Sequence, residues 1–112
     1  VGVIARLWRG WAAVSNRQAY PRHFHQGVLP ELKRIDGFLG ASLLEREENG
    51  EVEFLVVTRW SSRDAIRAFA GDDVSKAIVE PEARAALIRF DETVRHYEES
   101  EGLCPSGSLA GG

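Results

Sequence analysis

At 112 residues the chain has room for one domain and one hydrophobic core. Its 44% hydrophobic and 28% charged residues are those of an ordinary globular chain, which argues against wholesale disorder. The 14 basic and 17 acidic residues are mixed along the chain for a formal charge of −3, with no run of Lys or Arg, so no nucleic-acid surface is expected.

Apolar stretches are far shorter than a membrane span, and the start lacks the apolar segment of a signal peptide, so no membrane association is expected. The single cysteine, Cys104, has no internal partner for a disulfide, and a cytoplasmic protein is expected. Methionine is absent, and Val1 is not expected to be the translated start. The organisation expected is one domain over residues 1–98 and a flexible Gly/Ser-rich tail over 99–112, where Cys104 reads as an incidental thiol.

Val3 to Trp11 alternates as a strand, apolar in part on both faces. Ser15 with Gln18 is a capping-box pair and predicts the start of the first helix. Tyr20, Phe24, Val28 and Leu32 recur at i+4, with Ile35 three further on, and form one core-facing stripe. Pro21 and Pro30 each remove a helical hydrogen bond, so a kink or break is expected near Leu29. Asp36-Gly37 closes this helix. Phe38 to Arg46 reads as a second strand, Glu48-Asn49-Gly50 as a hairpin turn, and Val52 to Trp60 as a third strand. Ser61 with Asp64 predicts a cap for a short helix carrying Ile66, Phe69 and Ala70, which Gly71 stops. Asp72 or Asp73 is expected to cap another turn carrying Val74, Ala77 and Ile78. Pro81 fits the first position of a further turn, Glu82 to Ala86, and Leu87 to Tyr97 reads as the last strand.

The order β-α-β-β-α-β predicts an α+β, ferredoxin-like antiparallel sheet with helices on one face. In the third strand Val52, Phe54, Val56, Thr58 and Trp60 share one face, and Leu55 and Val57 the other. Helices cover only one of those faces. A second copy packed on the open one, giving a homodimeric α/β barrel, is therefore expected.

Several stretches together resemble the antibiotic-biosynthesis-monooxygenase family. They are Ile4-Ala5-Arg6-Leu7-Trp8-Arg9-Gly10, Leu29-Pro30, the strand from Glu53 to Trp60, the helix from Ala65 to Asp73, and His96-Tyr97-Glu98. The resemblance covers roughly residues 3 to 98. It implies a dimeric barrel with a pocket between the helices and sheet of each subunit. It also implies a small aromatic ligand and, for some members, oxidation of polycyclic phenols without metal, flavin or other cofactor. Other members degrade haem. That branch needs an asparagine on the first strand and a histidine on the helix after Trp60, and this chain has neither, which argues against an iron site here.

Trp60 matches a tryptophan that lines the pocket in both branches; a plain core aromatic is the other reading. Trp8 and Trp11 sit on opposite strand faces, so one of them can line a cavity, and Trp8 is the choice, with Phe24 completing the wall. Tyr20, His23 and His96 are the candidates for handling a proton. His23 lies near the helical stripe, whereas His25, two residues on, points elsewhere and reads as solvated. His96 reads as a base if it reaches a cavity and otherwise as an interface or sheet-edge residue. Arg6, inside an apolar strand, needs a partner when buried, and Asp91 or Glu92 would supply an ion pair; recognition of an acidic or phenolic oxygen is the functional alternative. No metal-ligand spacing, phosphate loop or catalytic-triad signature is present. Three functions fit: a cofactor-independent monooxygenase, a non-catalytic binding or stress-response dimer, and a cofactor-free isomerase or cyclase.

Overall fold

The computed structural model describes residues 2–101, so Cys104 and most of the expected tail lie outside the described residues. The chain's two longest ladders share one strand. β3 (Glu51–Trp60) pairs antiparallel with β1 (Ile4–Ala13) over its full length, Ile4 opposite Trp60 and Ala13 opposite Glu51, and with β2 (Phe38–Glu48) on its other edge. The β2–β3 connection is Asn49-Gly50, at φ 55° and 75°. Two residues at positive φ match the twist of a two-residue hairpin, which is why this pair works there. The last strand joins the remaining edge of β1, so the expected ferredoxin-like antiparallel sheet with helices on one face is present.

The even positions of β1 and β3 face the helices. Ala12, Val52, Phe54 and Trp60 are fully covered there by Leu32 and Ile66 from the helical layer. The odd positions face outward, where Leu44 and Tyr97 are exposed and Leu7 and Leu55 are half-covered. The apolar content of both faces is thus real, and the described chain covers only one.

The first helical region departs from expectation at its start. β1 runs two residues past Trp11, because Ala12 and Ala13 still pair with Val52 and Glu51, and Val14 N–H then donates to Gly50 O. Ser15 falls in a 3-10 turn, Val14–Asn16, and forms no capping box; α1 (Ala19–His23) begins without a side-chain cap. The break expected near Leu29 takes the form of a π-helical turn, Phe24–Val28, leading into α2 (Leu29–Leu32). Pro30 lacks an N–H, and its ring would strike the carbonyl four residues back, so a widened turn lets the helix continue where an α turn would clash. α2 stops at Leu32, earlier than expected, and turns lead to Gly37, at φ 97°, just before β2.

α3 (Arg63–Ala70) is capped by Ser62, whose Oγ accepts from Ala65 N–H at 3.1 Å, and not by Ser61. Ser61 is engaged instead through its N–H with Gly37 O at 2.8 Å. The helical turn expected at Asp72 to Ile78 does not form. Asp73 Oδ1 accepts from Ser75 N–H and Oγ–H in a tight turn, and Ser75–Ala77 then runs extended beside Glu92–Val94. That pairing also explains the last strand, which is split into β4 (Arg89–Phe90) and β5 (Arg95–Glu98). Both pieces pair with β1, and Asp91 N–H still donates to Arg9 O, but residues 92–94 leave it: Ala77 N–H donates to Glu92 O, and Val94 N–H donates to Ser75 O. Between Ala77 and β4, α4 (Pro81–Ala86) starts at Pro81 as expected. No helix among the described residues is long and apolar enough to cross a membrane.

Candidate functional site

A cavity of about 60 Å³ lies between the sheet and the helices. Arg6, Trp8, Val56 and Thr58 form its floor; Tyr20, His23, Phe24, Val28 and Leu32 form one wall. Phe69 of α3, with Ile78, Glu80, Ala83 and Val94, closes the rest. The i+4 stripe of the first helical region is that wall, so the pattern read as core-facing is also cavity-facing.

Trp8 is placed as expected, on the cavity side, with its ring 5.7 Å from that of Tyr20. Its indole N–H donates to Asp91 O at 2.7 Å, which holds the chain where the last strand leaves β1. Trp11 is on the outer face, flanked by the guanidinium groups of Arg9 and Arg89. Phe24 is buried in the wall. Trp60 is fully buried and outside the lining; the core reading of this residue is the one the geometry matches. Its indole N–H donates to Thr58 Oγ1 at 2.8 Å and its ring stacks on Phe69 at 6.0 Å, so it braces two residues that do line the cavity.

Arg6 is 5% exposed, and the ion pair with Asp91 or Glu92 does not form. Asp91 lies opposite Arg9, an outward-facing position of β1, with its N–H on Arg9 O, so its carboxylate meets the Arg9 guanidinium at 3.0 Å, and Glu92 is engaged through its backbone. Arg6 donates instead to Val74 O, to Lys76 O at 3.0 Å, and toward His96 Nε2 at 3.1 Å. All three acceptors are uncharged when His96 is neutral. Burial without a carboxylate lowers the guanidinium to about 10, still cationic at neutral pH. The three bonds use both Nη1 protons and one on Nη2, so Nε–H and the second Nη2 proton remain.

The three proton-handling candidates separate. His96 lies opposite Arg6 in the ladder and outside the lining, with Nε2 turned to the guanidinium. Burial first, then the charges of Arg6 and Arg63, hold its pKa below the usual histidine range. Tyr20 is 4% exposed, and burial together with the Glu80 carboxylate raises its pKa well above the usual phenol value. It is a proton donor to a ligand, not a base, near neutrality. His23 lines the cavity with Nε2 3.3 Å from Glu80 Oε1. That is close enough for attraction but out of line for a hydrogen bond, so the buried Nε2 has no hydrogen-bond partner among the described residues. Gly27 lies under the imidazole; a Cβ there would sit 3.2 Å from Nδ1. His25 is exposed, as expected.

Glu80 is the functional candidate that sequence reasoning missed. Its only local signal is its place before Pro81, where it reads as a helix-start residue; nothing in spacing says that it faces Tyr20 and His23. Phe69 was legible as an amphipathic-helix residue but not as cavity wall. The outcome is a small apolar cavity into which a buried cation, a phenol and an imidazole–carboxylate pair converge, the arrangement of a binding site for a small, mostly apolar molecule.

Among solved structures, the chain is similar to a monooxygenase of the gene ActVA-Orf6 of Streptomyces coelicolor in complex with nanaomycin D, at 17% identity and TM-score 0.64, over 94% of this chain and 93% of that one. It is similar to the haem degrader MhuD of Mycobacterium tuberculosis, which holds two haems in its active site, at 20% identity and TM-score 0.57, over 90% and 99%. A third similar structure, from Bacillus cereus and assigned to the antibiotic-biosynthesis monooxygenases, gives 17% identity and TM-score 0.65 over 93% and 99%. At such identities the likeness is one of fold. No curated protein matches the sequence. The family model described as "Antibiotic biosynthesis monooxygenase" matches residues 11–81, more than half of the chain. The chain therefore belongs to the antibiotic-biosynthesis-monooxygenase family.

Proposed function

We propose that the protein is a cofactor-independent monooxygenase that oxidises a small electron-rich aromatic of the phenol or anthrone type, and that it works as a homodimer. The observation that carries the reading is the meeting of an aromatic-walled cavity with Arg6, Tyr20 and the His23–Glu80 pair. Family membership and the fold shared with a monooxygenase that holds nanaomycin D support it.

In this reading His23 takes the proton from the acidic C–H of an anthrone, Glu80 steadies the imidazolium, and Tyr20 donates a hydrogen bond to a substrate oxygen. Arg6 favours the negative charge that develops, with its two uncommitted N–H groups facing no carboxylate. The carbanion passes one electron to dioxygen, and the radical pair joins as a peroxide. Loss of water, using the second C–H proton and the proton held on His23, leaves a carbonyl. The sum is CH2 plus O2 giving C=O plus H2O. Trp8 and Phe24 hold the ring plane against the reacting atoms. For the homodimer, the support is the open sheet face carrying Leu7, Leu44, Leu55 and Tyr97.

The test is oxygen uptake by purified protein with anthrone and hydroquinone substrates, wild type beside His23→Asn, Glu80→Gln and a boiled control. Uptake that requires folded protein and falls about a hundredfold or more in His23→Asn is expected, the typical span of a lost general base. Turnover of a substrate without oxygen consumption would favour an isomerase or cyclase. Binding without turnover would favour a non-catalytic dimer.

A further inference from the structure

The cavity is too small for the ligand just proposed. An apolar cavity of about 150 Å³ is the size known to take a benzene ring, and this one holds about 60 Å³. A fused-ring aromatic therefore fits only if a wall gives way to adjoining space.

Such space lies directly outside. An open groove of about 420 Å³ runs between the π turn and α4, with Ala19, Gly27 and Ala85 among its small lining residues and Arg22, Gln26 and Glu82 among its polar ones. His23 is the lining residue common to the cavity and the groove. Three features make it a side chain able to turn. Its Nε2 has no aligned hydrogen bond, although it is buried and only 3.3 Å from Glu80. Its ring rests on Gly27, where even a methyl group would crowd it at 3.2 Å. It belongs to the last residues of α1, just where the helix widens at Phe24–Val28. An unsatisfied buried nitrogen destabilises the closed position, which lowers the cost of leaving it.

We infer that His23 is a gate between the cavity and the α1–α4 groove, and that a planar fused-ring aromatic binds across both. Its reacting ring lies against Trp8 and its distal ring over Gly27. The inference rests on the cavity being the substrate site, and it adds a second subsite and a size filter. Single-ring ligands use the cavity end alone. Two- or three-ring ligands need the imidazole moved off Gly27 to the edge of the reacting ring, where it still reaches the acidic C–H, and the groove open.

The test uses binding without oxygen chemistry, so it is independent of whether the protein turns anything over. Calorimetry is run anaerobically with 1,8-dihydroxyanthraquinone as the three-ring probe and hydroquinone as the single-ring probe. The proteins are wild type, His23→Ala and Ala85→Trp. Ala85 is exposed on α4, so the tryptophan fills the groove from a surface position and leaves the core intact. Removal of the gate is expected to tighten the three-ring probe several-fold, and the filled groove to weaken it about tenfold or more, the loss expected when a ring contact worth about 1.4 kcal/mol is denied. Hydroquinone is expected to change less than about twofold in Ala85→Trp on the same scale. A three-ring probe indifferent to both variants, both probes responding equally to Ala85→Trp, or failure of wild type and His23→Ala alike to bind the three-ring probe would each overturn the gate. Oxygen uptake with single-ring phenols would leave the monooxygenase reading standing in any of those cases.

Discussion

Replacement of Gly37 by alanine separates two costs that a glycine can conceal. Gly37 sits at φ 97°, between α2 and β2, and a Cβ built on it lies 2.7 Å from both Ala65 Cβ and Ser61 Oγ. Gly71, which stops α3, is also on the positive side, at φ 84° and ψ −170°, but a Cβ there meets nothing within 4 Å. Gly71→Ala therefore carries backbone strain alone, on the order of 1–3 kcal/mol. Gly37→Ala carries strain of about 1–2 kcal/mol together with overpacking of about 1–3 kcal/mol. The Ala65 Cβ has no rotamer by which to move aside, and Ser61 is tied to Gly37 O through its N–H, so relief requires α3 to shift. Both variants regain about 0.4–1 kcal/mol from a stiffer unfolded chain. The net expectation is roughly 2–4 kcal/mol lost for Gly37→Ala, a large part of the 5–15 kcal/mol typical of a domain, against roughly 0.5–2 kcal/mol for Gly71→Ala. Urea unfolding followed by circular dichroism at equal protein concentration measures both. A Gly37→Ala midpoint no lower than that of Gly71→Ala would refute the steric argument.

Three further outcomes are expected. Because burial and Glu80 raise the folded-state pKa of Tyr20, its contribution is intact below the unfolded phenol value of about pH 10 and is lost as the pH rises from there. Tyr20→Phe is expected to flatten that alkaline limb in unfolding measured from neutral pH upward, and an unchanged slope would count against the burial argument. Trp60→Phe removes the 2.8 Å bond to Thr58 and leaves a void behind Phe69, so it is expected to cost about 1–3 kcal/mol of stability. Trp8→Phe, which gives up the bond to Asp91 O, is expected to cost about 1 kcal/mol of stability and to weaken ligand binding more than Trp60→Phe does. Calorimetry and melting of the pair check this, and the reverse pattern would place the wall wrongly. Leu44→Glu puts a charge on the open sheet face and is expected to yield monomers in sedimentation velocity at concentrations where wild type sediments as a dimer; unchanged sedimentation would move the interface elsewhere.

Some residues state their structure locally, and those were read correctly. Asn49-Gly50 can hardly be anything but a hairpin turn, because both residues tolerate positive φ between two alternating apolar runs. The alternation from Val52 to Trp60 defines which side of β3 meets the helices, and the i+4 row from Tyr20 to Leu32 defines the face that answers it. Gly71 and Pro81 mark a helix end and a helix start for reasons contained in their own backbones. From these the sheet, its helical layer and the apolar open face all follow.

What a residue meets across the fold is not written in its neighbours. Asp72 to Ile78 has a serviceable helical pattern, yet after a tight turn at Asp73–Ser75 it runs extended because Glu92–Val94 offers backbone partners and Arg6 takes the Val74 and Lys76 carbonyls. The same exchange of partners splits the last strand, while the register sets Asp91 against the outward-facing Arg9, and among the described residues the buried Arg6 is left without a carboxylate. Glu80 looks like a helix-start residue until the fold sets it beside Tyr20 and His23. Trp60 and Trp8 are both aromatic and both on the helix side of the sheet, and only packing places one in the cavity wall and the other behind it. Local propensity and periodicity are properties of a few consecutive residues, and they determined the elements and their faces. The site is a set of contacts between residues far apart in the chain, each chosen by competition among all the hydrogen-bond and packing partners that folding brings within reach, and that competition is decided only in the tertiary structure.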